Sequence, residues 1–310
     1  MPLRRRVTSA GLGGGVAYVV RDGETVHDVS VGAVARSTPL SVASSAKWLT
    51  AATLLTFVDE GRLRLDDPVS RWLPEFASWD PPITVRMLLD HTSGVRDQPC
   101  LWNAGGSMAD CVARLAAGPR EFPPGTAFSY GNASFHVVGR LLEVLGGDDF
   151  AAVVRRRLTD PLGMTATTWP GAGANPSPAA GLRTTVDDYA RYLAMLLGGG
   201  VASDGRRLLS ETSVAELVRN QVGAYDTSRD YSVGITRIPR YALGAWPDVV
   251  DATGATEVVS GNGGKGFYPW IDFGHHAYGV VGVQDDRGAE VAVPASQAVF
   301  REVRAAYAGT

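Results

Sequence analysis

The chain has 310 residues, of which 45% are hydrophobic and 20% are charged, and its formal net charge is −3. This composition is typical of a globular protein with a sizeable core, arranged as one large domain or two moderate ones. A mildly acidic chain lacks the broad basic surface that binds a phosphate backbone, so nucleic acid is not an expected partner.

Three arginines precede residues 7–20, an arrangement that secretory signals share. Five of those fourteen residues are Gly or Ser, which makes a poor apolar segment. We therefore expect a cytoplasmic protein, with secretion as the alternative. No stretch approaches the roughly 18 apolar residues that span a bilayer, so no membrane partner is expected.

Cysteine and histidine spacing predicts neither a metal site nor a disulfide framework. Cys100 and Cys111 lie eleven positions apart without a CxxC pair or a histidine cluster, so we expect ordinary thiols. His275 and His276 would project to opposite faces of a strand, which is poor for joint metal ligation. We expect no metal and no cofactor.

In chain order, the first predicted element is a β-hairpin, with strands at 16–20 and 25–31 around an Asp-Gly turn. Apolar residues then recur every three or four positions over 44–61, which predicts a helix ended by glycine. Further helices are predicted at 85–90, 108–117, 133–145, 150–158, 185–197 and 211–220. After residue 225 the pattern predicts strands at 231–238, 256–260, 267–273 and 277–283, and a last helix at 294–306.

Strands at both ends of the chain around a helical middle predict an α+β fold, in which helices flank an antiparallel sheet. Residues 1–60 and 225–310 would form this discontinuous sheet domain. Residues 61–224 would form an inserted, all-helical domain. The functional site is expected at the junction of the two.

The stretch VASSAKWLT, residues 42–50, places a serine and a lysine three positions apart at the start of a predicted helix. Only two of the 29 basic residues are lysines, Lys47 and Lys265. Ser44 and Lys47 would project from one helix face, which suits a nucleophile and its base. Arginine could not act as this base, because a guanidinium keeps its proton at usable pH. The alternative is that Ser44 caps the helix and Lys47 is solvated.

A role as a base requires a strongly lowered pKa at Lys47. An amine that is largely neutral near pH 7 has lost roughly three pKa units, or about 4 kcal/mol. The positive end of a helix supplies only about 0.3–1 kcal/mol of this. Desolvation must supply the rest, so we predict that Lys47 is buried.

Two further stretches could line the same site. In PGTAFSYGN a turn leads into the helix at 133–145, and Tyr130 and Asn132 could present a phenol and an amide to a cleft. The alternative is that Tyr130 packs in the core and Asn132 caps the helix. In SGNGGKG, residues 260–266, glycines would let a strand edge approach a ligand and aim an N–H group at an oxyanion. The alternative is a flexible hairpin loop. His91 and His136 are expected to be structural.

Taken in order, the SxxK stretch, the YxN stretch and the glycine-rich stretch resemble the motifs of the serine β-lactamase and penicillin-binding protein superfamily. The sequence is most similar to the class C β-lactamase-like branch, which includes family VIII carboxylesterases and D-aminopeptidases. Flanking sequence extends the resemblance over most of the chain, as in FVDEGRLRLDDPVSRWLPEF, ITVRMLLDHTSGV and PPGTAFSYGNASFHVVGRLLE.

The resemblance implies a sheet domain built from both termini, a helical domain between them and a cleft at their junction. It implies that Ser44 is the acyl-accepting nucleophile and Lys47 its base. It also implies that Tyr130 relays a proton to the leaving group and that Asn132 binds substrate. The backbone N–H of Ser44 would be one oxyanion donor.

The third motif departs from the family pattern, which has Lys-Thr-Gly or His-x-Gly. Here Asn262-Gly263-Gly264 matches if asparagine replaces the histidine, with Asn262 and Gly264 contacting substrate, whereas Val259-Ser260-Gly261 matches the strand register equally well. The cationic residue is therefore missing, unless Lys265 replaces it. A neutral ester becomes a more favourable substrate than a β-lactam or a peptide carboxylate.

The expected function is thus a serine hydrolase, similar to carboxylesterases, that cleaves small esters through a Ser44 acyl-enzyme. Acyl transfer, or hydrolysis of a β-lactam or D-amino-acid amide, would use the same acyl-enzyme. A hypothesis from a different class is a non-catalytic protein that binds acyl groups or β-lactams. The expected partner is a small ester or amide, and no oligomeric state follows from these motifs.

Overall fold

The computed structural model describes residues 2–9, 11, 13–103, 105–170, 173, 175–227, 230–283 and 287–308. Residues 10 and 12 of the stretch considered as a signal lie outside the described residues. In the described part of the chain, no helix combines the length and the apolar character needed to cross a bilayer.

One six-stranded antiparallel sheet joins the two ends of the chain. Its strand order is β2-β1-β8-β7-β6-β5, so the first strand pairs directly with the last. A separate two-stranded sheet pairs β3 with β4. The strands are β1 (Gly14–Arg21), β2 (Glu24–Gly32), β3 (Leu40–Ser41), β4 (Arg183–Thr184), β5 (Trp246–Val250), β6 (Thr256–Ser260), β7 (Phe267–Asp272) and β8 (Ala277–Val283).

The described part of the chain contains ten α-helices, of which the first, seventh and tenth pack against the sheet. A 3₁₀ turn at Ala43–Ser45 leads into the second helix, and a π-helical turn at Arg155–Thr159 extends the sixth. The helices are α1 (Pro2–Ser9), α2 (Ala46–Asp59), α3 (Val85–Leu89), α4 (Met108–Ala117), α5 (Ala133–Gly146), α6 (Phe150–Val154), α7 (Val186–Leu197), α8 (Glu211–Val218), α9 (Tyr231–Thr236) and α10 (Ala289–Ala308).

The sheet contributes to a core on each of its faces, since alternate side chains of a strand point to opposite faces. In β1, Val16 joins the core shared with α2 and α7, whereas Ala17 joins the core shared with α1 and α10. The predicted α+β class, with helices flanking an antiparallel sheet, is confirmed. The domain boundaries at residues 60 and 225 stay predictions.

The strand predicted at 231–238 is wrong, because these residues begin with helix α9. Alternating Tyr231, Val233 and Ile235 suggested a strand. Buried residues instead follow helical spacing, at Ser232, Val233 and Thr236. The side chain of Asp230 caps the helix by accepting the Ser232 N–H.

Strand β5 was not predicted, and helix α10 begins earlier than predicted. Pro247 and a register shift beside it interrupt the alternation of β5, which is tolerated because β5 is an edge strand. Helix α10 starts at Ala289 instead of at Pro294, which lies inside the helix.

The expectation of free thiols is also wrong, because Cys100 and Cys111 form a disulfide with their Cα atoms 5.4 Å apart. Cys100 lies in the 3₁₀ turn Pro99–Trp102, which packs against α4, and Cys111 lies on that helix. Only this packing brings the two together. Disulfides persist mainly in oxidising compartments, so the bond does not favour the predicted cytoplasmic location, which stays a prediction.

Candidate active site

Ser44 lies in the tight turn that precedes α2, and a neighbouring serine fixes this turn. The hydroxyl of Ser45 donates to the carbonyl oxygens of Gly261, at 2.5 Å, and Phe267, at 3.1 Å. Ala43 adopts a left-handed conformation, with φ of +45°, which is unusual for a residue with a Cβ atom. The hydrogen bonds of Ser45 therefore hold the turn against the β6–β7 hairpin, while Ser44 stays partly exposed.

Lys47 is completely buried, as predicted. Its Nζ lies 3.2 Å from Ser44 Oγ, 3.2 Å from Asn132 Oδ1 and 3.4 Å from the carbonyl oxygen of Ala179. Ser45, rather than Ser44, occupies the N-cap position of α2 and makes no side-chain cap bond. The alternative of a capping serine beside a solvated lysine is therefore wrong.

Burial lowers the pKa of the Lys47 ammonium from its usual 10.5 to about 7. The negative charge of Asp97 opposes this by raising the same pKa. The net effect leaves a substantial fraction of the amine neutral at neutral pH. Such an amine can accept a proton from the adjacent hydroxyl.

Tyr130 packs against Ser44 and Lys47. Its side chain lies beside that of Ser44, and its ring centre lies 4.6 Å from Lys47 Nζ. Burial raises the pKa of the Tyr130 phenol well above its ordinary value, so the phenol carries its proton at neutral pH. The rings of His91 and Trp246 pack against it at 4.7 and 5.4 Å between centroids.

Asn132 contacts Lys47 instead of capping α5. Its side chain makes no cap bond, and its Nδ2 donates to Asp97 Oδ2 at 3.2 Å. The other oxygen of Asp97 accepts the backbone N–H groups of Asn132, at 2.9 Å, and Ala133, at 2.7 Å. The orientation of the Asn132 amide, with its oxygen toward Lys47, is fixed by this carboxylate.

Two aspartates that hold the site were not predicted from the sequence. Asp97 anchors the start of α5, and Asp230 Oδ2 accepts the backbone N–H of Tyr130 at 2.9 Å. Asp230 is 100 positions from Tyr130 in sequence. Neither aspartate belongs to a recognisable motif, so only the tertiary structure identifies them.

The third predicted stretch reaches the same site. A cavity of about 130 Å³ is lined by Ser44, Tyr130, Asn262 and Gly264, together with residues of α9 and α10. Val259, Ser260 and Gly261 are not among the described residues that line it. Lys265 follows Gly264 in the turn that closes the hairpin. This placement favours the register Asn262-Gly263-Gly264.

Gly263 explains why this stretch is rich in glycine. A Cβ atom at this position would lie 2.2 Å from the carbonyl oxygen of Val42 and 2.8 Å from Ser45 Oγ. The glycine therefore allows the hairpin to approach the turn that carries Ser44, rather than a ligand alone.

The two histidines expected to be structural are buried. His136 Nε2 lies 3.2 Å from Asn175 Oδ1, and burial lowers its pKa to about 4. His91 lies behind Tyr130, and burial holds its pKa well below the ordinary value. Both rings are therefore neutral at pH 7.

The fold and this arrangement of side chains define a class, the hydrolases of the β-lactamase and penicillin-binding protein type. The chain belongs to the Beta-lactamase family, whose model matches residues 3–301. The family resemblance stated from the sequence motifs is thereby confirmed.

Three similar proteins illustrate the family. Penicillin-binding protein 4 of Amycolatopsis lactamdurans is 34% identical over an alignment of 259 positions, which covers 69% of this chain and 67% of that protein. Esterase EstB of Burkholderia gladioli is 33% identical over an alignment of 181 positions, which covers 49% of this chain and 45% of the esterase. The crystal structure of a protein of Bacteroides dorei DSM 17855, assigned to the beta-lactamases, is 29% identical with a TM-score of 0.81 and covers 96% of both chains.

Proposed function

We propose that this protein hydrolyses small esters through an acyl-enzyme formed on Ser44. The observation that carries the proposal is the buried amine of Lys47, 3.2 Å from the Ser44 hydroxyl. The similarity to an esterase supports the reaction class. Covalent catalysis divides a difficult displacement into two easier ones.

In acylation, Ser44 Oγ attacks the ester carbonyl while neutral Lys47 accepts the hydroxyl proton. When the tetrahedral intermediate collapses, the carbonyl carbon–alkoxide bond breaks, and the Tyr130 phenol gives the leaving oxygen its proton. Lys47 then returns a proton to the phenolate. Asn132 binds the substrate, and the backbone N–H of Ser44 stabilises the oxyanion.

In deacylation, water replaces the alcohol. Lys47, acting through Tyr130, removes a proton from the water as it attacks the acyl carbon. Protonated Lys47 then gives that proton to the Ser44 oxygen as the bond between this oxygen and the acyl carbon breaks. The site is restored without a net change in charge. An alcohol or amine acceptor in place of water would give acyl transfer from the same intermediate.

The preference for a neutral ester rests on matching Asn262 to the position where the family has a cation. A carboxylate placed beside a neutral amide gains no charge pairing to offset its desolvation. This argues against β-lactams and carboxylate-bearing peptides as the main substrates, although an amide could use the same acyl-enzyme.

The test is hydrolysis of p-nitrophenyl butyrate at pH 8. We expect steady turnover that Ser44→Ala and Lys47→Ala abolish. Lys47→Arg should be nearly as inactive while the fold survives, because guanidinium is not a usable base. Lys265→Arg, the matched change at the other lysine, should retain activity.

The hypothesis from a different class predicts another time course. A protein that only binds acyl groups would release one equivalent of p-nitrophenol and then stop. That burst without turnover, or retention of most activity by Lys47→Arg, would contradict the proposal.

The role of Tyr130 has a separate test. Tyr130→Phe should slow turnover by roughly 10²–10⁴, the range for a lost proton-transfer group. An unchanged rate would make Tyr130 a packing residue.

A further inference from the structure

We propose that Asn262 presents its amide oxygen, and not its NH₂ group, to the bound ester, so that the site selects leaving alcohols that carry a hydrogen-bond donor. This inference rests on the proposed esterase function and names the class of its substrate. The donor would be an amide N–H or a hydroxyl close to the alcohol oxygen. A carboxylate at the same place would be rejected.

A chain of hydrogen bonds holds the Asn262 side chain, which is only 5% exposed. Its Nδ2 donates to Ser260 Oγ at 3.0 Å. Ser260 Oγ donates in turn to Asp248 Oδ1 at 2.8 Å, and the Tyr268 hydroxyl donates to the other oxygen of Asp248 at 2.5 Å.

The direction of these bonds decides which end of the Asn262 amide faces Ser260. An ionised carboxylate only accepts hydrogen bonds, so Asp248 takes the hydroxyl hydrogen of Ser260. The Ser260 oxygen is then left to accept a bond. It can accept one from Nδ2 but has no hydrogen left to donate to Oδ1, so the amide is locked in one of its two orientations.

The locked orientation leaves a buried acceptor without a partner. Within the part of the chain that the structure describes, Asn262 Oδ1 makes no hydrogen bond. Buried amide oxygens are normally satisfied, and an unsatisfied one is a group that a ligand can complete. Asn262 lines the cavity that also contains Ser44, which points to substrate as that ligand.

The position of Tyr130 indicates which part of the substrate lies there. Tyr130 lines the same cavity, and we assign it to proton transfer to the leaving alcohol. The group beside Asn262 is therefore on the alcohol side of the ester. A hydrogen-bond donor on the alcohol would pair with Asn262 Oδ1. A carboxylate at the same place would set one acceptor oxygen against another and could form no hydrogen bond.

Three acetate esters test this at pH 8.5, where Asp248, whose pKa is raised by burial to about 7, is ionised. O-acetyl-N-acetylethanolamine and ethylene glycol diacetate differ only by N–H against O, and 3-acetoxypropanoate carries a carboxylate. All three form the same acetyl-enzyme, so differences in kcat/KM arise in acylation. Acetate release is followed by pH-stat titration, with the diacetate rate halved for its two equivalent esters.

We expect kcat/KM for the N–H ester to exceed that of the diacetate by roughly tenfold, the usual effect of one buried hydrogen bond. The carboxylate ester should be the poorest substrate. Asn262→Leu should bring the first ratio close to one, and Asn262→Lys should make the carboxylate ester the best of the three.

Ser260→Ala tests the lock itself. Without the serine oxygen the Asn262 amide is free to turn. The ratio of kcat/KM for the N–H ester to kcat/KM for the diacetate should therefore fall, while the diacetate is still cleaved. Ser213→Ala is the matched control, since Ser213 Oγ also donates to an aspartate, Asp59 at 2.7 Å, but away from the site. In this variant the ratio of kcat/KM for the N–H ester to that for the diacetate should equal the ratio in the unchanged protein.

The outcomes separate the two proposals. If p-nitrophenyl acetate and all three esters resist hydrolysis, the proposed function fails. If p-nitrophenyl acetate is turned over but the unchanged protein does not distinguish N–H from O, this inference alone is overturned. The comparison of the N–H ester with the diacetate uses the unchanged protein, so its result does not depend on whether a variant folds.

Discussion

At the scale of single residues, the site depends on one amine that the fold keeps out of water. Lys47 has no exposed surface, and its hydrogen-bond partners are a hydroxyl, an amide oxygen and a backbone carbonyl. None of these three is a carboxylate in direct contact, so desolvation is not cancelled by an ion pair. A chain that uses arginine almost everywhere else keeps a lysine where a proton must leave.

The pH dependence of the reaction should report this amine. Because the neutral amine is the proposed base and burial lowers its pKa to about 7, kcat/KM should rise with pH through an apparent pKa near 7. The charge of Asp97 raises that pKa, so Asp97→Asn should move this acid limb to lower pH. The measurement is a kcat/KM profile from pH 5 to 9.

Asp230→Asn serves as the control for this shift, because Asp230 bonds the Tyr130 backbone and is not a cause of the Lys47 shift. Its acid limb should stay in place, even if the rate falls. A limb that moves to higher pH in Asp97→Asn would contradict the assignment to Lys47.

The same amine should destabilise the fold in a pH-dependent way. Its pKa is about 7 when folded and about 10.4 when unfolded, so between these values the unfolded chain binds the extra proton and stability rises with pH. Lys47→Met removes this penalty. The variant should gain free energy of unfolding at pH 7, by at most about 4 kcal/mol, and the gain should shrink toward pH 10.

Urea unfolding at pH 7, 8.5 and 9.5 measures this difference. Ser44→Ala is the control, since it inactivates the site but leaves the lysine buried, and its stability difference should not change in this way. If the stability gained by Lys47→Met is no larger at pH 7 than at pH 9.5, the buried amine keeps its proton and the lowered pKa is contradicted.

At the scale of elements, the start of α2 and the β6–β7 hairpin form one unit. Ser45 bonds the hairpin at two carbonyls, and the Tyr189 hydroxyl on α7 donates to the Ser45 carbonyl at 2.9 Å. The hairpin approaches closely because Gly263 has no side chain. Ser44 and the third motif are therefore positioned by the same contacts.

Gly263→Ala should break this unit. A Cβ atom 2.2 Å from a backbone oxygen forces the hairpin away from Ser44, so we expect a loss of at least about 2 kcal/mol in the free energy of unfolding and loss of esterase activity. Gly264→Ala is the control for stability, since its Cβ would meet its nearest neighbour at 3.4 Å. Equal denaturant midpoints for the two variants would contradict the packing account.

At the scale of the whole molecule, the site is assembled from three distant parts of the chain. Ser44 and Lys47 come from the α2 end, Tyr130 and Asn132 from the segment before α5, and Asn262 from the β6–β7 hairpin. Pairing of β1 with β8 joins the two ends of the chain in one sheet. Contacts this remote in sequence make the site a property of the complete fold.

The disulfide should add stability on the helical side of the site. Cys100 and Cys111 close a loop over a sequence separation of 11, for which restricting the unfolded chain contributes roughly 2–3 kcal/mol. Reduction should lower the midpoint of guanidinium unfolding accordingly. The double variant Cys100→Ser and Cys111→Ser should unfold at the lower midpoint with or without reductant. If reductant does not change the midpoint of the unchanged protein, the predicted contribution of the disulfide is contradicted.

Much of the fold could be predicted from local pattern. The helix at 108–117 and the strands at 256–260 and 277–283 agree with the structure to the residue, because their periodicity and end signals are unambiguous. Helix α9 and strand β5 could not be predicted. A short segment with alternating apolar residues suits either structure, and a proline in a strand is tolerated only when neighbouring strands make it an edge.

The sequence by itself determined which side chains could do chemistry, because a lysine in an arginine-rich chain, an SxxK spacing and a YxN turn are local signals. The tertiary structure alone decided that Lys47 is buried, that Asp97 and Asp230 hold the YxN stretch by hydrogen bonds, and that Ser260 fixes the orientation of the Asn262 amide. Burial and hydrogen-bond direction depend on residues that are distant in sequence. They are therefore set by packing and leave no mark on the local pattern.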